Sequence, residues 1–532
     1  MRIGAKPRSF PIGGSAVTLH RDDNGVVVLD AASELDLVRG LGFAHAVDRG
    51  LQMLLVRLIG QGRLSELEAT DQNAGIDVFM RQMRFAADAE AEASLVKGQM
   101  RELLLAYRDG VEAGFATAGV PLELRLARHR PEPWRVADSF ALVRLMAYVG
   151  LSQTQQSAEK LIVESVIGGV DLAKLRALFS PHLDGLGTPL VDLVARVNVG
   201  MRLVHRLPAA LAGGSGSNNW AVAPRLSASG AALACGDPHL EVNRLPAVWY
   251  EAVARLPGDF RIGVTVPGLP VFVMGRSRRL SATFTYGFMD LVDYFLEDVK
   301  GGAYLRGGER RPFEARHETV HRRGKPPLSL AVFENDEGTL ETPATDALPV
   351  DGLHLLRATA GRRSGPATLA ACVALWRSPT VRDAQEALEA CALSANWVLA
   401  DARGSIGYQQ TGLLPLRSHS GLYPLPAWEP DNLWQGFADP SLLARVTDPP
   451  EGFVASANDT WNAPGGPHAV NLSMGDSRAA RIRELLAGRT GLTLDDMKAI
   501  QRDLFSRQAD AILKMALPFL PDSPAAAVLR AW

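Results

Sequence analysis

The chain lacks the features that mark several common classes of protein. It has three cysteines in 532 residues (Cys235, Cys372 and Cys391) and no C-x-x-C pair, so it has no disulfide framework and no cysteine zinc motif. No apolar run reaches the ~18 residues of a membrane span, and residues 1–8 contain no apolar core of a secretory signal. We therefore expect no membrane span and, for the chain as written, a cytoplasmic location.

Strong charge of either sign is also missing. The 56 basic residues nearly balance the 58 acidic ones, for a net charge of −2, so no strong field attracts nucleic acid or an anionic membrane. The sequence contains no dinucleotide fingerprint, P-loop or H-E-x-x-H motif, and no G-x-S-x-G elbow. Ser157 to Lys160 matches S-x-x-K, but without a K-T-G partner the match indicates chance. We expect neither a nucleic-acid partner nor a nucleotide or redox cofactor.

The pattern of apolar residues changes once along the chain. Residues 15–31 predict a hairpin turning at Asn24-Gly25, and Ser33 begins a helix-rich stretch that continues to about residue 205. From Ser217 onward short β-like runs follow. The later predicted elements are a hairpin formed by residues 396–400 and 405–408, a helix over 477–486, and a helix capped by Thr493.

The change falls at a run of small residues, 213–217, which is followed by Asn218-Asn219-Trp220. One interpretation is a flexible Gly/Ser linker between domains. The other is a cleavage site before Ser217, with Ser215 as a competing nucleophile. A serine hydroxyl needs an adjacent base, and a new α-amine on Ser217, with an ordinary pKa of about 7.7–8.0, would be one.

At Ser217 to Trp220 the sequence resembles the penicillin acylase family of N-terminal-nucleophile hydrolases. Further motifs of that family follow in order, with His239 lying 22 residues after Ser217. They are Asp237-Pro238-His239-Leu240, Pro267-Gly268-Leu269-Pro270, residues 285–293, Asn396-Trp397, Ala400-Asp401, residues 406–408 and Arg417; upstream stand Arg21-Asp22, residues 44–49 and residues 62–67.

The resemblance implies an α+β fold, the four-layer αββα sandwich, and autocatalytic cleavage between Gly216 and Ser217. A helix-rich α-chain segment (1–190), a spacer (191–216) and a β-chain segment (217–532) would result, the two chains staying together as a heterodimer. The reaction would be hydrolysis of a small N-acyl amide of the penicillin, cephalosporin or acyl-homoserine-lactone type. The alternative is an unprocessed or truncated, catalytically silent member that acts as a binding or structural protein.

The resemblance also assigns roles to individual residues. Ser217 would be the nucleophile and His239 would contact its α-amine, as in the cephalosporin and acyl-homoserine-lactone branches. The backbone N–H of Tyr286 and the amide of Asn396 would stabilise the oxyanion. Arg417 would lie near the nucleophile and hold Asn396, although by itself it could be a surface arginine.

A structural Ca²⁺ ion is implied as well. Asp290, the carbonyl of Val292 and Asp293 match the family's calcium-binding run, with Glu159 as a further ligand; oxygen donors suit Ca²⁺. The ion would tie the two segments together after cleavage. Two departures are expected to matter: family members continue well past residue 532, and relatives usually act outside the cytoplasm.

Overall fold

The structure, a computed structural model, describes residues 3–148, 153–198, 216–240, 247–343, 345–462 and 475–531. Most of the predicted spacer, residues 199–215, lies outside these ranges. Within them the chain mixes helices and sheets, as the α+β prediction requires.

The first segment begins with three strands and continues as helices. The strands are β1 (Arg8–Ile12), β2 (Ser15–Arg21) and β3 (Val27–Asp30). The helices are α1 (Glu34–Gln61), α2 (Asp71–Gln82), α3 (Phe85–Leu95), α4 (Gly98–Ala118), α5 (Leu122–Leu126), α6 (Val136–Ala147), α7 (Gln153–Ile167), α8 (Leu172–Phe179) and α9 (Thr188–Val194). The predicted cap at Ser33 is confirmed, because its side chain accepts the N–H of Asp36 at the start of α1.

The second segment is rich in strands, which begin at the predicted change of pattern. They are β4 (Gly216–Val222), β5 (Leu233–His239), β6 (Tyr250–Leu256), β7 (Asp259–Thr265), β8 (Phe272–Ser277), β9 (Leu280–Tyr286), β10 (Val292–Lys300), β11 (Ala303–Arg306), β12 (Glu309–Pro312), β13 (Glu314–Arg322), β14 (Lys325–Glu334), β15 (Thr339–Leu340), β16 (Gly352–Thr359), β17 (Ala395–Asp401), β18 (Ile406–Thr411), β19 (Leu425–Pro426), β20 (Arg445–Thr447) and β21 (Phe453–Ser456).

In the described part of the second segment, six helices accompany these strands. They are α10 (Gly365–Arg377), α11 (Val381–Leu388), α12 (Ser477–Leu486), α13 (Leu494–Gln501), α14 (Arg507–Ala516) and α15 (Pro524–Ala531). Helix α13 has the predicted cap: Thr493 and Asp496 form a reciprocal capping box.

The strands form three sheets in the described part of the chain. The main sheet has ten strands in the order β1-β2-β3-β6-β7-β8-β9-β17-β18-β20. The outer sheet runs β12-β11-β10-β16-β15-β14-β13, with β19 beside β10, and the short sheet is β21-β4-β5.

The main and short sheets lie face to face between helices. Helices α1, α10 and α11 pack on one face of the main sheet, and α4 packs on α1. The short sheet covers the other face through contacts of β4 and β5 with β9 and β17, and α12 and α13 cover the short sheet. This is the order helix, sheet, sheet, helix, so the predicted αββα sandwich is confirmed.

Both segments contribute to the main sheet. β3 of the first segment pairs in parallel with β6 of the second, and Val27 lies beside Ala252. The largest apolar cluster contains side chains of both segments, among them Leu29, Phe43 and Trp397. The helix-rich segment and the β-rich segment therefore share one core. No helix of the described ranges is both long and apolar enough to cross a bilayer.

Candidate active site

Ser217 is the second residue of β4 and faces the gap between the short and main sheets. Successive residues of a strand face opposite sides. Ala221, on the side of Ser217, shares an apolar cluster with Val398 and Tyr408 of the main sheet, whereas Trp220 packs with Ile482 of α12. The Ser217 side chain is thus enclosed between the two sheets, with 6% of the residue exposed.

The bond before Ser217 has unusual surroundings. In the continuous chain, Oγ of Ser217 donates to the carbonyl oxygen of Gly216 over 2.8 Å. Gly216 has a φ of 143°, and a Cβ there would lie 2.9 Å from the guanidinium of Arg478. Glycine is therefore the residue that this position accepts without strain or a shift of Arg478.

Asn458 holds the backbone nitrogen of Ser217. The N–H of Ser217 donates to Oδ1 of Asn458 over 2.7 Å, and Nδ2 of Asn458 donates to the carbonyl oxygen of Tyr286 over 2.9 Å. Asn458 follows β21 with a φ of 67°, a left-handed conformation that asparagine tolerates. Its side chain connects the start of β4 to the end of β9.

Arg478, in the first turn of α12, contacts both residues. Nη1 donates to the carbonyl oxygen of Ser217 over 3.0 Å and to Oδ1 of Asn218 over 2.8 Å. Nη2 donates to Oδ1 of Asn458 over 2.9 Å. A cation in the first turn opposes the helix dipole, so these contacts must offset that cost. They place a fixed positive charge beside the predicted scissile bond.

Tyr286 presents its backbone to the same region. Gly287 donates to the carbonyl of Ser394, and Tyr286 lies opposite Ala395, one step earlier in the antiparallel ladder. Hydrogen-bonded and non-hydrogen-bonded pairs alternate in such a ladder. The N–H of Tyr286 therefore points away from β17, which leaves it outside this ladder, as the predicted oxyanion role requires.

The side-chain amide that bonds to Ser217 is that of Asn458, and Asn396 contacts neighbouring carbonyl groups. Nδ2 of Asn396 faces the carbonyl oxygens of Tyr286 at 3.4 Å and Asp459 at 3.5 Å. Its Oδ1 accepts the hydroxyl of Tyr408 over 2.7 Å. The structure thus places Asn396 against the residues that surround Asn458.

His239 ends β5 directly opposite Gly216. Opposed residues share a face of a sheet, so the His239 side chain is on the face of the short sheet away from the Ser217 side chain. Its Nε2 lies 3.3 Å from Oδ2 of Asp237. His239 therefore lies across the strand pair from the residue that precedes the scissile bond, and its side chain is paired with an acidic neighbour.

The structure brings Arg417 to the predicted calcium ligands. Nη1 of Arg417 donates to Oδ2 of Asp290 over 3.2 Å, and its Nε lies 3.0 Å from Oδ2 of Asp293. The guanidinium at the nucleophile is instead that of Arg478. Arg417 lies in the loop after β18, whereas Arg478 lies in the first turn of α12.

Three buried carboxylates surround Arg417. Glu159 of α7, Asp290 and Asp293 are each fully buried, and both carboxylate oxygens of Glu159 accept the N–H of Tyr294 over 3.1 Å. Burial, followed by the charges of Asp293 and Asp290, raises the pKa of Glu159 well above its usual range. One guanidinium therefore leaves negative charge uncompensated here.

These residues fit a hard cation by donor type and charge. Oδ1 of Asp293 is buried without a hydrogen-bond partner, and the backbone of Val292 lies between the two aspartates. In the described ranges, however, no three acidic, histidine or cysteine side chains converge closely enough to hold a metal ion. Arg417 stands among the carboxylates in this arrangement.

Asn458 and Arg478 were not among the predicted site residues. A weak signal existed for each: Asn458 lies two residues after the end of a short strand, β21, and Arg478 is a cation in the first turn of a predicted helix. Neither signal links the residue to Ser217, because 241 positions separate Ser217 from Asn458.

The chemistry of this site follows from its position in the fold. A serine at the start of an inner strand, with an amide and a guanidinium on its backbone, lies between the two sheets of an αββα sandwich. If the bond before Ser217 breaks, its amine and hydroxyl will be adjacent, as base and nucleophile. These features define the class of N-terminal-nucleophile hydrolases.

Comparisons with known proteins identify the family. A family model described as penicillin amidase matches residues 16–532, so the chain belongs to the penicillin amidase family. The acyl-homoserine lactone acylase QuiP of Pseudomonas aeruginosa is 31% identical over 96% of this chain and 63% of its own length. The penicillin acylase 2 proenzyme of Pseudomonas sp. strain SE83 is 28% identical over 94% of this chain and 66% of its own length.

The chain thus spans about two thirds of the length of these relatives, 63% in the first case. Among solved structures, a thermostable penicillin G acylase from Alcaligenes faecalis superposes with a TM-score of 0.48 at 19% identity, over 59% of each chain.

Proposed function

We propose that the chain is an acylase that hydrolyses a linear N-acyl amide through an acyl-enzyme on Ser217. The observation that carries the proposal is the position of Ser217, whose backbone nitrogen is held by Asn458 and whose hydroxyl touches the carbonyl of Gly216. Membership of the penicillin amidase family supports it.

The first step is cleavage of the chain itself. Oγ of Ser217 attacks the carbonyl carbon of Gly216, the C–N bond breaks, and the acyl group moves from nitrogen to oxygen as an ester. Water then hydrolyses the ester, which releases the Gly216 carboxylate and restores the Ser217 hydroxyl with a free α-amine. The glycine at 216 suits this step because its backbone reaches conformations that other residues avoid.

The processed site then acts on a second amide. The α-amine of Ser217 removes the hydroxyl proton, Oγ attacks the substrate carbonyl, and an oxyanion forms that needs fixed donors. The proposed donors are the N–H of Tyr286 and the side-chain amide of Asn396, and Nδ2 of Asn458 lies beside them on the carbonyl oxygen of Tyr286. The amine product leaves, and water releases the acid from the ester.

The substrate class follows from the relatives and not from the site. Relatives named as acyl-homoserine lactone acylase and as penicillin acylase both align along most of this chain. The substrates in both names are amides of a small amine. We propose that Ser217 acts on one of these two classes.

Intact-mass spectrometry of the purified chain tests the proposal. We expect a fragment that begins at Ser217, and we expect the Ser217→Ala chain to remain whole. Hydrolysis is then assayed with homoserine lactones of increasing acyl length and with penicillins. A chain that stays uncut, or a Ser217→Ala chain that is cut normally, would contradict autocatalysis.

We also propose that Glu159, Asp290, Asp293 and the carbonyl of Val292 hold a structural Ca²⁺ ion. The ion would balance the buried negative charge that Arg417 leaves uncompensated. It would stabilise the joint between α7 and β10 and take no part in bond breaking.

A thermal melt tests the calcium proposal. A ligand present at about 100 times its Kd stabilises a fold by about 2.7 kcal/mol, so added Ca²⁺ should raise the Tm by several degrees and a chelator should reverse the shift. Asp293→Asn should abolish the response, and Mg²⁺ serves as the control ion. An equal response of the Asp293→Asn variant to Ca²⁺ would contradict this site.

A further inference from the structure

A chain of contacts runs behind the candidate site and ends at its backbone. Tyr408 donates its hydroxyl to Oδ1 of Asn396 over 2.7 Å. Both side chains are buried completely, so this bond is shielded from water, and a buried polar group without a partner is costly. The bond fixes which way the Asn396 amide points.

Only one orientation of the Asn396 amide is stable. With Oδ1 on Tyr408, Nδ2 faces the two carbonyl oxygens of Tyr286 and Asp459. A rotated amide would turn its oxygen toward both carbonyls, and acceptors that face acceptors repel. Without the Tyr408 hydroxyl, Oδ1 of Asn396 has lost its hydrogen-bond donor. The main interaction that favours this orientation of the amide is then gone.

The two carbonyls belong to residues that hold the nucleophile. Tyr286 accepts Nδ2 of Asn458 on the same oxygen that faces Asn396, and Asp459 is the next residue after Asn458. Asn458 in turn accepts the N–H of Ser217. Asn396 therefore sets the position of Asn458 from two sides.

The ring of Tyr408 makes a second contact with the same segment. Trp461 stacks on it with ring centroids 4.2 Å apart and an interplanar angle of 11°. Arg483 lies 5.5 Å from the centroid of Trp461 and pairs with Asp459 over 3.0 Å. Tyr408 thus fixes the segment 458–461 by its ring and the amide of Asn396 by its hydroxyl.

We propose that Tyr408 is a positioning residue for the Ser217 site, acting through Asn396 on the backbone of Tyr286 and on Asn458. The inference rests on the proposed function and adds a residue that touches neither Ser217 nor its bond partners directly. Its hydroxyl keeps the amine of Ser217 and the N–H of Tyr286 at a fixed position relative to each other.

Tyr408→Phe tests the proposal because it deletes one oxygen and keeps the ring on Trp461. We expect the processed variant to lose about 10- to 100-fold in kcat, the scale that follows from misplacing a reacting group by about 1 Å. KM should stay within about twofold, because the substrate pocket is untouched. Tyr304→Phe, a buried tyrosine of the outer sheet, is the matched control.

A double-mutant cycle distinguishes positioning from a general loss of packing. Asn396→Ala should reduce kcat, and adding Tyr408→Phe should reduce it little further, since residues of one network are not additive. Additive losses, or a Tyr408→Phe kcat equal to that of Tyr304→Phe, would overturn the proposal.

A wild-type chain that neither cuts itself nor hydrolyses any amide would contradict the proposed function instead. The positioning role is then read from crystal structures of the wild type and of Tyr408→Phe. We expect a rotated Asn396 amide and a lengthened contact between Asn458 and Tyr286. Unchanged side chains would overturn the positioning role.

Discussion

His45 is a buried base held neutral between two hydroxyl groups. Its Nδ1 lies 2.8 Å from the hydroxyl of Tyr107 and its Nε2 lies 2.8 Å from the hydroxyl of Thr265. The Thr265 hydroxyl donates to the carbonyl oxygen of Tyr250, so it accepts the N–H at Nε2, and the Tyr107 hydroxyl donates to Nδ1. Burial, followed by the charge of Arg49, lowers the pKa of His45 to about 3.

This lowered pKa predicts acid sensitivity. Between the unfolded pKa of about 6.5 and the folded value, the unfolded chain binds more protons, so stability falls as the pH falls. Lowering the pH from 6.5 to 4.5 should cost roughly 2–3 kcal/mol from this residue alone. Urea unfolding of wild type and His45→Gln at both pH values measures it, and the variant should lose less on acidification.

The exposed His317 supplies the control for that experiment. His317→Gln should leave the acid sensitivity of the wild type unchanged, because its side chain is 71% exposed. An acid response of His45→Gln equal to that of the wild type would show that other groups dominate.

At the scale of elements, helices α1 and α4 approach each other closely through glycines. A Cβ on Gly110 would lie 2.0 Å from the carbonyl oxygen of Arg39, and one on Gly42 would lie 2.3 Å from that of Tyr107. Both clashes are with backbone, which cannot rotate away. The helix pair can move apart only by disturbing the contact of α1 with the main sheet.

Gly110→Ala should therefore destabilise the fold by about 2–3 kcal/mol, as overpacking a core does. Gly75→Ala is the matched control, because nothing lies within 4 Å of its Cβ position in α2 and alanine favours a helix by roughly 0.5–1 kcal/mol. We expect the two variants to change the thermal midpoint in opposite directions. A Gly110→Ala chain as stable as wild type would mean that the helices separate freely.

Sequence signals between neighbouring residues correctly predicted several helix caps and hairpins. The caps at Ser33 and Thr493 and the hairpin of β17 and β18 follow from residues that are close in sequence. Strand β13 shows why the outer sheet was not anticipated: its residues 314–322 are mostly polar and exposed, without a clear apolar alternation. Such a strand is held by its partner β14 and not by its own pattern.

The candidate site divides in the same way. Ser217 and Tyr286 lie in motifs that can be read from adjacent residues. The contacts of Asn458 and Arg478 with Ser217 depend on which strand and helix ends meet in the folded sandwich. Residue types are the same in both pairs, and neither Asn458 nor Arg478 is close to Ser217 in sequence. The pairing of β21 with β4 brings Asn458 to Ser217, and the packing of α12 brings Arg478 there.

At the scale of the whole molecule, the cut before Ser217 would separate two segments that share a sheet and an apolar core. β3 pairs with β6 across the boundary, and His45 bonds to Thr265. Glu34 of α1 pairs with Arg377 of α10, and Glu159 of α7 accepts the N–H of Tyr294 in β10. Each contact joins a residue before the cut to one after it.

We therefore predict that the cleaved segments stay together as one particle. Parallel pairing and burial of apolar side chains from both segments stabilise the complex without a covalent link. On gel filtration in native buffer, the processed protein should elute as a single peak at the volume of the uncut Ser217→Ala chain, although denaturing electrophoresis shows two fragments. Urea should separate the fragments only at concentrations that unfold the main sheet, as followed by tryptophan fluorescence. Two native peaks, each with one fragment, would contradict the shared core, because segments that fold alone would not need the β3–β6 pair.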